Sequence, residues 1–234
     1  MEATLDFLRG PLFRLCFAVM ILGLMRSLFL SIFGMITAMR RAGDKVIPYN
    51  DLIKKTILWF IPITRLFRAR PVYSLVSFVW HIGLILVPLF YSTHVLLFKN
   101  SVGFAWPAMN QQLAHNLTIL TIVASLFLFI GRIASKESRS ISKFADFAWP
   151  LFLGIIFLTG HICARGEISS STYQWFMFIH LVTANVTMFL MPFTKIAHCI
   201  LFPLNQFISA VAWKFPQGAG DRVAKTLGKK EIPA

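Results

Sequence analysis

The sequence predicts an all-α integral membrane protein, a five-helix bundle, from three observations. Of its 234 residues, 57% are hydrophobic. These residues are gathered into blocks long enough to cross a bilayer, since about 20 residues at roughly 1.5 Å each span the hydrocarbon core. Lys and Arg fall mainly in the segments between the blocks. The sequence therefore predicts that residues 1–234 form a single membrane domain.

Five apolar blocks predict five membrane spans. The first, at about residues 11–39, follows a short amphiphilic start that contains Glu2, Asp6 and Arg9. This acidic start and an overlong apolar run without a small-residue cleavage site argue against a removed signal peptide. The other spans are expected at about residues 72–98, 112–130, 147–163 and 174–201.

The segment between the first two spans is polar and basic. Within it, Asn50 or Asp51 can cap a short amphipathic helix of sequence DLIKKTILWFI, which Pro62 ends. Its apolar side chains suit the boundary of the bilayer, so the sequence predicts an interfacial helix in the first cytoplasmic loop. The basic residues there form either a solvated face or a docking face for a partner.

Charge placement predicts the orientation of the bundle. The loops after the first and third spans and the tail of residues 202–234 carry most of the Lys and Arg, whereas the opposite side has Arg9, Lys99 and Arg165. Because positive loops stay inside, the N-terminus is expected outside and the C-terminus in the cytoplasm. The same placement explains the formal net charge of +14 without nucleic acid. The tail itself is polar and is expected to be partly ordered.

The three cysteines, Cys16, Cys163 and Cys199, lie far apart in the sequence. The chain has no CxxC or CxxCH motif. It therefore cannot by itself build a covalent c-type haem or an iron–sulfur cluster held by cysteines.

Four histidines form the main candidate site. His180 and His198 are 18 residues apart, about five helical turns, so one helix would present both rings on the same side. The second span, which carries His81 and His94, runs antiparallel to the fifth. His81 and His198 are thus expected at cytoplasmic depth, and His94 and His180 near the outer surface. Two such pairs would hold two b-type haems by bis-imidazole ligation.

The second span fits this arrangement imperfectly as a straight helix. Its two histidines, His81 and His94, are 13 residues apart, which leaves them roughly 140° off a common face. Pro88 lies between them, and Pro192 lies between the histidines of the fifth span. Kinks at these prolines could absorb part of the mismatch.

Several other residues are open to more than one reading. His115 and His161, also at outer depth, could replace a haem ligand or hydrogen-bond a quinone; Lys99 and Asn116 are further quinone candidates. Arg26 lies in the middle of the first span, where a guanidinium needs an anionic partner or water. It could snorkel from a tilted helix, or pair with a haem propionate or a neighbouring subunit.

One segment carries a family resemblance. Met191 to His198, MPFTKIAH, resembles the last-helix motif of the gamma subunit of respiratory nitrate reductase, a dihaem cytochrome b. The His180 to His198 spacing, the five spans and the orientation also fit that family. The basic first loop and the FVWHIGLILVP…H pattern from Phe78 to His94 are closer to its relatives in sulfate reducers, the cytochrome b subunits of transmembrane redox complexes of the high-molecular-weight cytochrome type. In the nitrate reductase subunit the two histidines of the second helix are closer together than in this chain.

The resemblance implies an electron relay rather than a self-contained enzyme. By carry-over, His81 and His198 ligate a cytoplasmic haem that exchanges electrons with an iron–sulfur subunit, and His94 and His180 ligate an outer haem beside a menaquinone site. Lys195 would reach a propionate or lipid headgroups. Other integral membrane subunits and a periplasmic multihaem cytochrome c are the further implied partners, and the location is the cytoplasmic membrane of a bacterium or archaeon.

Two hypotheses from other classes compete with this one. The first is a cofactor-free transporter or channel subunit in which histidines relay protons. The central parts of the spans lack acidic residues and the sequence shows no inverted repeat, which argues against it. The second is a membrane anchor for a peripheral enzyme. Absorbance of b-type haem separates both from the relay.

Overall fold

The computed structural model describes residues 1–41, 50, 53–54, 57–58, 70–211 and 219–228. Every regular element in these ranges is a helix, and five helical stretches are long and apolar enough to cross a membrane. The prediction of an all-α, five-span protein is therefore confirmed. The spans are Glu2–Thr37, Pro71–Phe90, Gln111–Ala134, Phe144–Arg165 and Ser170–Phe193.

The helices of the described residues are named in chain order. They are α1 (Glu2–Arg9), α2 (Pro11–Arg41), α3 (Pro71–Phe90), α4 (Ser92–Val102), α5 (Gln111–Ala134), α6 (Lys136–Ile141), α7 (Phe144–Arg165), α8 (Ser170–Leu190), α9 (His198–Val211) and α10 (Ala219–Thr226). Two short 3₁₀ helices, Met191–Phe193 and Lys195–Ala197, lie between α8 and α9.

The chain divides into two compact units. The first consists of Met1–Ala18 and Pro62–Phe189, and the second of Val19–Ile61 and Leu190–Ala234. Five of the six histidines belong to the first unit, and His198 belongs to the second.

Helix α5 is the centre of the first unit, because small residues line its buried face. Ala114, Thr118, Thr121, Ala124, Ser125 and Leu128 are all buried. A Cβ on Gly83 of α3 would overlap the Thr121 side chain, and a Cβ on Gly154 of α7 would lie 2.8 Å from the Ser125 hydroxyl. Close approach at small residues is how helices associate in membranes, where lipid is as apolar as the side chains.

Polar contacts tie further elements of the first unit together. The buried amide of Asn185 in α8 donates to the Leu8 carbonyl of α1 at 3.0 Å. At the far end of α5, the Arg132 guanidinium donates to the Tyr73 hydroxyl of α3 at 3.1 Å and to Ser142 at 2.9 Å. These contacts join helices that are distant in sequence.

A short polar segment caps the junction between α5 and α7. Arg70 and Glu137 form an exposed ion pair at 4.0 Å. A hydrogen bond from the Ser135 hydroxyl, assisted by the nearby charge of Arg70, holds the pKa of the Glu137 carboxyl below its ordinary value.

The second and fifth spans differ from the continuous helices that the sequence predicts. Tyr91 is extended, at φ −66° and ψ 132°, and separates α3 from α4 three residues after Pro88. In the fifth span, α8 ends at Leu190, and Thr194 is extended before α9 begins at His198. The expectation that His180 and His198 share one helix is therefore wrong, because the helix is interrupted around Pro192.

Two further expectations concern the loop and the tail. In the expected interfacial helix only Asn50, Ile53, Lys54, Ile57 and Leu58 are described; all five are helical and exposed. The remainder, including Asp51 and Pro62, lies outside the described residues. Within the described part of the tail, α9 continues to Val211 and α10 spans Ala219–Thr226.

Candidate functional site

The break at Tyr91 sets the position of His94. Because α4 begins at Ser92, His94 lies in its first turn and not in the register of α3. The roughly 140° mismatch calculated for a straight helix therefore does not apply. The loop after α4 returns to this junction, where the Trp106 indole donates to the Leu89 carbonyl at 2.7 Å and the Met109 amide to the Phe90 carbonyl at 2.8 Å.

The structure brings His94 and His180 together. Their ring centroids are 6.2 Å apart and their planes are within 5° of parallel. Both residues belong to the first unit and both are half-buried. Tyr91, the residue at the helix break, lies edge-on to His94 with its centroid 5.5 Å away.

The separation of the ring centroids is compatible with one metal ion bound between the two imidazoles. An imidazole nitrogen binds a metal at about 2.0–2.1 Å, which places the ion roughly 3.2 Å from the ring centroid. Two trans rings would then have centroids roughly 6.4 Å apart, and the observed separation is 6.2 Å. Near-parallel planes are also compatible with two axial ligands on the two faces of a planar cofactor.

The ring of His180 packs against α7 at Ile156, Thr159 and Gly160, and these three residues are called the cradle below. The Nδ1 of His180 donates to the Ile156 carbonyl at 3.0 Å. Gly160 makes this approach possible, because a Cβ there would lie 2.8 Å from Cε1 and 3.1 Å from Nδ1 of the ring. The buried Thr159 lies beside it, with its hydroxyl 3.5 Å from Nδ1.

All four predicted haem ligands share one hydrogen-bonding pattern. In each, Nδ1 faces a backbone carbonyl oxygen: Ser77 for His81 at 2.6 Å, Val87 for His94 at 3.4 Å, Ile156 for His180 at 3.0 Å and Lys195 for His198 at 2.6 Å. A carbonyl only accepts, so Nδ1 carries the proton and Nε2 keeps its lone pair in the neutral ring. Metal-binding histidines characteristically show this second contact.

The other predicted pair has one member in each unit. His81 lies in α3 with the Trp80 ring edge-on at 5.2 Å. The buried Nε1 of Trp80 has no hydrogen-bond partner among the described residues, although a buried indole N–H usually finds one. His198 is exposed at the start of α9 in the second unit. The pairing of His81 with His198 stays a prediction.

The remaining two histidines form a pair of their own. The centroids of His115, on α5, and His161, on α7, are 4.6 Å apart, with 35° between the ring planes. Each is half-buried. Neither ring contacts His94 or His180 closely enough to form a ring pair in the described structure.

The other candidate residues lie on exposed surfaces. Lys99 of α4 and Asn116 of α5 are exposed, and the Asn116 side chain accepts a hydrogen bond from Gln112 at 3.0 Å. In the second unit, Arg26 is exposed and makes no ion pair or side-chain hydrogen bond within the described ranges. Lys195 is exposed, and its carbonyl accepts from His198.

Within the described ranges, no group of three or more His, Cys, Asp or Glu side chains is arranged to bind a metal ion. The three cysteines are free thiols.

Sequence reasoning missed the residues that position the rings. Gly160 and Thr159 precede His161 directly, in the run Thr-Gly-His. A glycine within an apolar span is a signal of close helix approach, and it could have marked α7 as the neighbour of a bulky side chain. The position of His180 on that neighbour has no signal in a single sequence.

Comparison with known proteins gives one relative and no family. No family model matches the chain, and no solved structure matches it significantly. A protein of Nitratidesulfovibrio vulgaris (strain Hildenborough) is 27% identical over 220 residues, which cover 92% of this chain and 96% of the relative. The likeness extends along both chains, but the relative's name, "Protein", indicates no activity.

Proposed function

We propose that the chain is a dihaem cytochrome b subunit of a respiratory redox complex. It would pass electrons across the membrane between an outer menaquinone site and a cytoplasmic iron–sulfur partner. The observation that carries the proposal is the His94–His180 pair, whose centroid separation of 6.2 Å and near-parallel planes suit two axial ligands of one iron.

The chain's own residues would hold the outer haem through His94 and His180. The Ile156 carbonyl fixes the His180 tautomer by accepting from Nδ1, which leaves the Nε2 lone pair as the donor. Within the described residues, Nε2 of neither ring makes a hydrogen bond. Haem bound here supplies one-electron transfer, and its potential depends on these ligands and their hydrogen bonds.

The inner haem of the proposal is held by His81 and His198. Its support is the sequence prediction, the resemblance of MPFTKIAH and the shared Nδ1 contacts to the Ser77 and Lys195 carbonyls. The partnerless indole N–H of Trp80 beside His81 is a further point at which an acceptor on a bound group would be accommodated. Arg26 and Lys195 are the proposed partners of propionates or headgroups.

The proposed partners follow from the resemblance. They are the cytoplasmic iron–sulfur subunit, other integral membrane subunits and a periplasmic multihaem cytochrome c, in the cytoplasmic membrane of a bacterium or archaeon. Menaquinone is the proposed substrate, and Lys99, His115, Asn116 and His161 are the polar candidates for its site.

Spectroscopy of ligand variants tests the proposal. We expect membranes containing the chain to show b-type absorbance in reduced-minus-oxidised spectra. His94→Ala and His180→Ala should each remove about half of it, since each removes one axial ligand of one haem. His115→Gln, the matched control, should retain it all.

The result that would overturn the proposal is absence of b-type absorbance from a folded, monodisperse chain. Full absorbance in both His94→Ala and His180→Ala would also reject the assignment of this pair. The first outcome would favour a cofactor-free anchor or transporter subunit, whereas the second would place the haem on other ligands.

A further inference from the structure

We propose that His115 and His161 bind one late first-row divalent metal ion, Zn²⁺ or Cu²⁺, between the beginning of α5 and the end of α7. The pair belongs to neither predicted haem. Both residues lie in the first unit, with ring centroids 4.6 Å apart and planes tilted by 35°. Both residues are also candidates for the proposed menaquinone site, but metal binding by them requires neither haem nor quinone and is tested independently of the proposed function.

Hydrogen bonding distinguishes this pair from the other histidines. Among the described residues, no ring nitrogen of His115 or His161 donates or accepts a hydrogen bond, whereas each of the other four histidines directs Nδ1 at a carbonyl. Two half-buried imidazoles thus lie side by side, and their nitrogens make no hydrogen bond within the described residues. Neutral imidazole nitrogen is a preferred ligand of Zn²⁺, Cu²⁺ and Ni²⁺.

The separation of the rings suits two cis ligands. With a metal at about 2.0–2.1 Å from one nitrogen of each ring, and so roughly 3.2 Å from each centroid, rings 4.6 Å apart subtend roughly 90° at the ion. The same calculation for His94 and His180 gives an angle closer to 180°. The His94–His180 pair therefore suits the two faces of a planar cofactor. The His115–His161 pair suits an ion whose remaining coordination positions are open to other ligands.

The position in the bundle gives an ion access from water. His115 is the fifth residue of α5, and His161 lies four residues before the end of α7 at Arg165. Both are about one helical turn from a helix end, and both are partly exposed. Water would complete the coordination. Because the ion would have only two protein ligands and the positive charge of Arg165 lies one turn away, we expect it to exchange readily with ions in solution.

Copper titration of the full-length chain tests the site. The protein is purified through a tag that lacks histidine, and Cu²⁺ binding is followed by electron paramagnetic resonance. We expect one Cu²⁺ per chain with coupling to two imidazole nitrogens. His115→Gln and His161→Gln should each weaken binding at least tenfold, because loss of even an outer partner of a metal site costs about 10- to 100-fold. Gln112→Ala, a neighbouring polar change at the same helix end, should leave binding unchanged.

Thermal unfolding with Zn²⁺ provides a second readout that needs no paramagnetic ion. An ion held by α5 and α7 together binds the folded state alone, so Zn²⁺ should raise the unfolding temperature of the wild type and of Gln112→Ala. It should raise that of neither histidine variant. Wild-type protein that binds no Cu²⁺, or histidine variants that bind it as tightly as the wild type, would overturn the proposal.

Discussion

At the scale of single residues, the hydrogen bond at Nδ1 separates two classes of histidine. The four predicted haem ligands each have a carbonyl partner, and the remaining pair has none among the described residues. Such a partner fixes the tautomer and the ring orientation, and it is common among metal-binding histidines. The backbone carbonyls of Ser77, Val87, Ile156 and Lys195 are therefore as much a part of the candidate sites as the imidazoles.

Gly160→Ala tests whether this orientation matters. The new Cβ would lie 2.8 Å from Cε1 of His180, so the ring must leave its place against the Ile156 carbonyl. We expect the midpoint potential of one haem to shift, or that haem to be lost, while the other is unchanged in a redox titration.

Gly131→Ala is the matched control for this change. Nothing lies within 4 Å of a Cβ at Gly131, which is also helical, and alanine in a helix interior is favoured over glycine by roughly 0.5–1 kcal/mol. Its redox titration should match the wild type. If Gly160→Ala also titrates as the wild type, the cradle does not position a ligand.

At the scale of elements, the sequence predicted the apolar helices well and their interruptions poorly. Length and composition identify a span because the thickness of the bilayer sets it. The sequence predicts kinks at Pro88 and Pro192. The second span breaks at Tyr91, three residues after Pro88, and the fifth is interrupted from Met191 to Thr194, around Pro192. The exact residue that becomes extended depends on packing and on new partners for the released carbonyls, such as Trp106 for Leu89.

The candidate site was predictable to a similar degree. The order and direction of the spans predict that His94 and His180 lie near the same membrane surface. The structure brings these two side chains together. The adjacency of His115 and His161 was not predicted, because it depends on the rotation of α5 against α7. That rotation is set by small buried residues, among them Ser125, whose hydroxyl donates to the Pro150 carbonyl.

Gly83→Ala tests the packing of α3 against α5. The added Cβ overlaps the Thr121 side chain, and overpacking a tight contact typically costs about 1–3 kcal/mol. We expect a lower unfolding temperature in detergent. Adding Thr121→Ala removes the nearest atom and leaves the Thr121 Cβ 2.9 Å away, so the double variant should recover part of the loss. Equal unfolding temperatures for the wild type and Gly83→Ala would show that the helices do not pack this closely.

At the scale of the whole molecule, five membrane-length helices and six histidines are the features that a function must explain. A membrane anchor requires the helices but does not explain two pairs of neighbouring imidazoles. The ring centroids are 6.2 Å apart in His94 and His180 and 4.6 Å apart in His115 and His161. A histidine is costly within a membrane unless it faces the bundle interior and finds a partner there. The proposed ligation of haem within the bundle would account for the first pair and, by the sequence prediction, for His81 and His198.

The most direct test of the central claim is the amount of haem b per polypeptide in the purified full-length chain. The haem content is measured as the pyridine haemochrome and divided by the protein content from amino-acid analysis. We expect two haems b per chain, one for each predicted histidine pair. A folded, monodisperse chain that contains no haem b would contradict the account.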